Sequence, residues 1–201
     1  MLSFNEVIRK LLEHIELSFI SLFFAFIIGF SFSIFFYKSK FFSGFFINIF
    51  SALRIIPSLA ILFFCIIFLS PGKLPAIIAL TVLGIPPILI NAITGFKNIE
   101  PFMLEVAKGL GMGKKESFFS VKLPLSFPYL LSGIKTSTIE LIASASLASY
   151  IGGGGLGDII FTGLGLMRYD LLVVGGGLTA LLAIFFDTSL SVFEKRLLRY
   201  S

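Results

Sequence analysis

Four ionisable residues stand inside long apolar runs: Arg54, Lys135, Glu140 and Asp187. A charge in hydrocarbon is expensive, so such residues face a partner or a water-filled cavity and mark a solute or ion path. Taken along their helices at about 1.5 Å per residue, Arg54, Lys135 and Asp187 all fall roughly 7–11 Å from one end of their runs. They are therefore expected to form one charged cluster at similar depth, with snorkelling of Lys135 to the interface as the alternative. Glu140 lies nearer the middle. It is five residues from Lys135, which puts the two on different helix faces, and Arg54 on another helix is its expected partner. In an ion-driven transporter Arg54, Glu140 and Asp187 would be the coupling groups.

Other chemistry finds little material. His14 and Cys65 are each the only residue of their type, so neither a metal centre nor an internal disulfide is expected. Cys65 lies in an apolar run and reads as an inert buried thiol. The run Gly152, Gly153, Gly154, Gly155 lacks the Gly-Lys-Ser/Thr ending of a phosphate loop. It is expected instead to be a sharply bent segment at the mouth of a path. No cofactor is implied. The net charge of +5 does not point to nucleic acid, because the basic residues flank apolar runs and can set topology.

The elements that must carry these residues are membrane spans. Of 201 residues 57% are hydrophobic and only 13% charged, with a mean hydropathy of +1.03, which excludes an ordinary soluble domain. Five runs reach the length of a span: Ile15–Phe36, Ile47–Leu69, Leu74–Ile93, Tyr129–Tyr150 and Leu171–Val192. Pro71-Gly72-Lys73 turns the second run into the third. Lys38, Lys40, Lys97, Lys108, Lys114, Lys115, Lys122, Lys195, Arg196 and Arg199 fall on one side, and Arg9, Lys10, Lys73 and Arg168 on the other. The positive-inside rule then puts the N-terminus outside and the C-terminus in the cytoplasm. Glu6, Glu13 and Glu16 break any signal-peptide pattern. The fourth run is crowded with small residues, from Thr136, Ser137 and Thr138 to Ala148 and Ser149, and is expected at the centre of the bundle or at a subunit interface.

Between the third and fourth runs, residues 98–124 form a polar island on the cytoplasmic side. Glu100-Pro101 has the form of a helix start. Phe102, Leu104, Val106, Ala107 and Leu110 make a short amphipathic helix, Gly111-Met112-Gly113 breaks it, and residues 114–120 form a second. Two short helices about a glycine turn make a knob that fits a groove on a soluble partner. An interfacial helix lying on lipid is the alternative.

The spacing Glu105-x-Ala107-x3-Gly111-x9-Val121-x-Leu123-Pro124 resembles the EAA loop of permease subunits in binding-protein-dependent ABC importers. Val106 departs from the family's usual Ala and is larger and a weaker helix former. Ile56-Pro57-Ser58-Leu59-Ala60, Gly72-Lys73-Leu74-Pro75-Ala76, Leu123-Pro124-Leu125 with Pro128, Gly133-Ile134-Lys135-Thr136, Ile151 through Asp158, Phe161-Thr162-Gly163-Leu164 and Asp187 resemble the osmoprotectant branch, which imports glycine betaine, carnitine and choline. The likeness covers residues 15–198. The Gly-Gly-Leu-Gly-Asp element also occurs in the methionine-importer branch.

The resemblance implies an all-α polytopic membrane domain with five spans and a cytoplasmic coupling loop, like the methionine-importer permeases. It implies no catalysis in this chain, with ATP hydrolysed by a dimer of partner ATPase subunits. Coupling to the ATPase falls to Glu105, Val106, Ala107, Gly109, Leu110, Gly111, Met112, Gly113, Val121, Leu123 and Pro124. Path or gate residues are Arg54, Pro57, Ser58, Lys135, Glu140, Ser144, Gly152, Gly153, Gly154, Gly155 and Asp187. Further partners are a separate extracytoplasmic binding protein and a second permease copy or paralogue in a bacterial plasma membrane. A carboxylate at Glu140 among Phe-rich walls would suit a quaternary ammonium solute. The rivals are a permease for another solute such as methionine, an ion-coupled transporter and a non-transporting scaffold.

Overall fold

The computed structural model describes residues 3–198, all helices and short connections; Arg199, one of the ten basic residues assigned to the cytoplasmic side, lies outside them. α1 runs Phe4–Phe36. A capping box starts it: the Glu6 amide donates to Ser3 Oγ at 3.3 Å and the Ser3 amide to Glu6 Oε2 at 2.8 Å, satisfying amides that a helix start leaves unpaired. Its inner face is a stripe of small residues, Ser18, Ser21, Ala25, Gly29 and Ser33, which lets the next long helix approach closely.

The expected span Ile47–Leu69 is not one helix. α2 ends at Leu53 (Lys40–Leu53), α3 begins at Ser58 (Ser58–Phe68), and their axes meet at 92°. The cause is Pro57. It pushes Ile56 out of the helical region and supplies no N–H, so residues 54–57 form an elbow that hydropathy alone does not register.

α4 (Lys73–Lys97) and α7 (Leu123–Ala148) form the centre. Glycines at their contact leave no room for a side chain. A Cβ on Gly84 would sit 2.9 Å from Ala25 Cβ and 3.0 Å from Ser137 Oγ, and one on Gly133 would sit 2.8 Å from Pro87 O. Ser137 Oγ donates to Gly84 O at 3.0 Å. The small residues of the fourth run thus seat it centrally, as its composition implies.

The island contains one free-standing short helix, not two. α5 covers Pro101–Gly109. The segment after the glycine turn, α6 (Lys114–Ser117), continues through a π-helical turn at Phe118–Lys122 directly into α7. Pro124 cannot donate to the Ser120 carbonyl, and the wider turn, in which the Leu123 amide reaches Phe118 O, absorbs that defect. The glycine stretch between the last two runs likewise holds a further helix, α8 (Leu156–Gly165), before α9 (Tyr169–Leu198).

By length and composition α1, α4 and α9 can each cross a membrane, and the bent pair α2–α3 makes a fourth if it counts as one span. α7 has the length, about 39 Å at 1.5 Å per residue, but carries Lys135, Glu140 and many hydroxyl groups.

Candidate functional site

The elbow between α2 and α3 delivers Arg54 to α7. Its Nη2 lies 2.6 Å from Glu140 Oε1, the partnership the sequence argued from need alone. The pair borders a cavity of about 360 Å³ that also takes in Pro57, Ser58, Pro86 and Ser144. Pro87 in turn supplies no N–H to the carbonyl of Leu83, which also lines the space. Five of the expected path residues, Arg54, Pro57, Ser58, Glu140 and Ser144, therefore share one site.

The single cluster of Arg54, Lys135 and Asp187 does not form. Lys135 pairs with Asp187 across α7 and α9 at 3.2 Å, while Arg54 takes Glu140. Two cations at similar depth each find their own carboxylate, because α7 turns Lys135 and Glu140 to different sides. Snorkelling of Lys135 is likewise replaced by an ion pair. The Phe-rich wall is absent too: among the described residues no aromatic side chain lines the cavity. Phe23, Phe35 and Phe41 are exposed, Phe96 is buried, and Phe36, 3.9 Å from Phe46 between centroids, packs against the core.

At one end of α7 sits the loop of residues 98–124. α5 closes in a Schellman motif: the Met112 amide donates to Ala107 O at 3.1 Å and the Gly111 amide to Lys108 O at 3.0 Å, with Gly111 at φ 76°. Only glycine adopts that backbone without strain. Ala107 is 2% exposed and is the residue that seats the helix. Glu105, Val106, Gly109, Leu110 and Gly113 face outward, so the Ala-to-Val departure at Val106 meets no packing constraint within the chain. Val121 and Leu123 are half-buried and Pro124 is exposed in the π turn and the first turn of α7.

At the other end, α7 closes in a second Schellman motif through Gly152, whose φ is 79°; the Gly153 amide donates to Ala148 O and the Gly152 amide to Ser149 O. The glycine segment is a fixed turn. The Gly72 amide donates to Ile151 O at 2.7 Å, and the Gly155 amide donates to Glu13 Oε2. Lys10 spans Glu13 at 2.8 Å and Asp158 at 2.6 Å, and Ser149 Oγ donates to Asp158. Sequence reasoning missed this lock. Asp158 in the first turn of α8 is readable as a helix-start acid, but nothing ties it to a lysine 148 residues away.

The two ends differ in charge. Arg9, Lys10, Lys73 and Arg168, at the glycine end, each have a carboxylate within 3.6 Å. Among the described residues no ion pair reaches Lys38, Lys40, Lys108, Lys114, Lys115 or Lys122 at the α5 end.

The bundle thus carries a protruding helix, α5, at one end, a locked glycine turn at the other and the Arg54–Glu140 ion pair on α7 between them. Residues 21–199 match the family model described as the binding-protein-dependent transport system inner membrane component, and the chain belongs to that family. It is 41% identical over 193 residues to a choline transport system permease protein, OpuBB, of Bacillus subtilis, covering 96% of this chain and 89% of the relative. It is 40% identical over 192 residues to a glycine betaine/carnitine/choline permease, OpuCB, of the same organism, covering 96% and 88%. An osmoprotectant import permease, OsmY, of Salmonella typhimurium is 34% identical over 92% of this chain and 79% of its own. In structure the chain matches the inward-facing MetNI methionine ABC transporter with a TM-score of 0.85 over 98% of this chain and 99% of that one, at 22% identity, a likeness of fold. The protein is thus a multi-pass inner-membrane transport component.

Proposed function

We propose that this chain is the path-forming subunit of an ABC importer for quaternary ammonium osmoprotectants: choline, glycine betaine or carnitine. The observation that carries the coupling half of this reading is the hydrogen-bonded turn at Gly111, which links α5 to the continuous α6–α7 helix. A push on α5 is passed through that turn along α7 toward Glu140 and the Arg54 elbow. The relatives' substrates support the solute class.

Five spans, α1, α2–α3, α4, α7 and α9, put the coupling loop and the C-terminus in the cytoplasm and the N-terminus outside. The unpaired lysines at the coupling end support that orientation. Exposed Phe102, Val106 and Leu110 with Glu105 dock into a cleft on the ATPase, in helix-in-groove fashion. Nothing lies within 4 Å of the Cβ positions of Gly109, Gly111 and Gly113, which leaves room for a partner to close on the knob. ATP-driven closure of two ATPase subunits then moves α7 in two permease copies, or in this chain and a paralogue, and solute delivered by a binding protein passes the cavity at Arg54 and Glu140. With no aromatic wall, that cavity offers a solute one positive and one negative group. It fits a zwitterion or cation in transit, and discrimination is left to the binding protein.

The test is ATP-dependent uptake of labelled choline, glycine betaine and carnitine into vesicles holding this chain, its ATPase and its binding protein, with Glu105→Arg as control. Uptake of one of them, lost in the variant while the complex still assembles, supports both halves of the reading. ATPase stimulation by methionine alone would remove the osmoprotectant assignment and keep the importer.

A further inference from the structure

We propose that a basic cleft behind the coupling helix holds the phosphate headgroup of an anionic membrane lipid. The cleft, of about 710 Å³, lies between the end of α1 and the α5–α6 loop. Five lysines line it, Lys38, Lys108, Lys114, Lys115 and Lys122, and among the described residues no carboxylate does. Two of them converge on one ring: Lys38 Nζ is 5.8 Å and Lys122 Nζ 5.5 Å from the centroid of Tyr37. A ring quadrupole attracts a cation but cannot neutralise two. An anion within reach of both supplies the missing charge.

Three observations select a lipid over other anions. Tyr37 closes α1 where its apolar run ends, the depth at which amphipathic rings and headgroups meet. The cleft also has an apolar wall, Ile34 with exposed Phe119, and exposed Phe35 adjoins Ile34 in the chain; an acyl chain uses such a wall and a free phosphate does not. Finally, α5 turns Leu104 and Lys108 toward the cleft, while Phe102 and Val106 stand roughly opposite at about 100° per residue. The ATPase face and the lysine face of the helix are therefore different faces, a step that rests on the docking reading above.

The bound headgroup ties α1 to the coupling helix, so that lipid charge sets how firmly the knob is held. Each basic residue at an anionic surface contributes a factor of roughly five in binding. Lys38→Gln with Lys122→Gln should thus weaken phosphatidylglycerol binding about thirty-fold. The measurement is native mass spectrometry of the permease–ATPase complex exchanged into phosphatidylcholine with a trace of phosphatidylglycerol, reading retained anionic lipid per permease. Lys38→Arg with Lys122→Arg should retain it, as should Lys195→Gln with Arg196→Gln, which reports on bulk charge and on folding. Unchanged retention in the glutamine pair overturns the proposal. So does displacement of the lipid by inorganic phosphate, which marks a free-anion site. Loss of the ATPase from the glutamine pair with lipid retained means that the ATPase, not lipid, covers the cleft. A wild-type complex that holds no ATPase defeats the docking reading instead, whatever its lipid content.

Discussion

Removing the carboxylate from Glu140 should destabilise the chain only modestly and stop transport. In Glu140→Gln, Arg54 Nη2 faces at best a neutral amide oxygen where a carboxylate stood 2.6 Å away, and is left with no counter-charge. A fully buried pair broken this way costs about 3–5 kcal/mol, and an exposed pair about 0–1. Here the two side chains are 44% and 36% exposed in the single chain, and the cavity they border admits water, so the cost falls between, at about 1–2 kcal/mol. Arg54→Gln alone should cost a similar amount. The double variant carries no orphan charge and should recover most of the loss, giving a coupling term of about 1 kcal/mol or more, outside the roughly 0.3–0.5 kcal/mol within which independent sites add. The assay is a four-way cycle of denaturant unfolding in detergent read by far-UV circular dichroism, paired with vesicle uptake. Additive single effects would refute the pair as a stabilising contact. Normal uptake by Glu140→Gln would refute its place on the path.

Other consequences follow from the same geometry. Gly111→Ala forces a side chain into φ 76° and should cost about 1 kcal/mol, lowering coupled ATPase activity more than bundle stability, read as uptake per ATP against melting temperature. Ala107→Leu overfills a position 2% exposed and should cost about 1–3 kcal/mol; co-purification of the ATPase checks whether α5 has shifted. Gly157→Ala would drive a Cβ into the Ser146 carbonyl oxygen, closer than any relaxed side chain tolerates, and should abolish the folded glycine turn, read as loss of monodisperse protein. Lys10→Gln removes the charge that bridges Glu13 and Asp158 and should accelerate amide exchange at Gly152–Gly155, read by hydrogen–deuterium exchange mass spectrometry.

Much of the site was legible in the chain itself. A charge inside an apolar run has to be answered by another, and four such residues, two of each sign, leave few pairings; that need alone led from Glu140 to Arg54. The helix start at Glu100-Pro101 and the break at Gly111 were readable because capping and positive φ are local properties of single residues. The loop's spacing carried the family resemblance for the same reason: its pattern is short-range.

What the tertiary structure decided is of another kind. Hydropathy sums over residues 47–69 carry no backbone angle, so the elbow at Pro57 was hidden, and with it the means by which Arg54 reaches α7. The continuity of α6 with α7 depends on a π-helical turn, a register change at Phe118–Lys122 that leaves no compositional mark. Lys10 meets Asp158 at one end of the bundle, and Lys38 and Lys122 both approach Tyr37 at the other, because distant segments pack together at each end. Local sequence determines which residues must find a partner. Packing of α4 against α7, through glycines that admit no side chain, determines which partners are within reach.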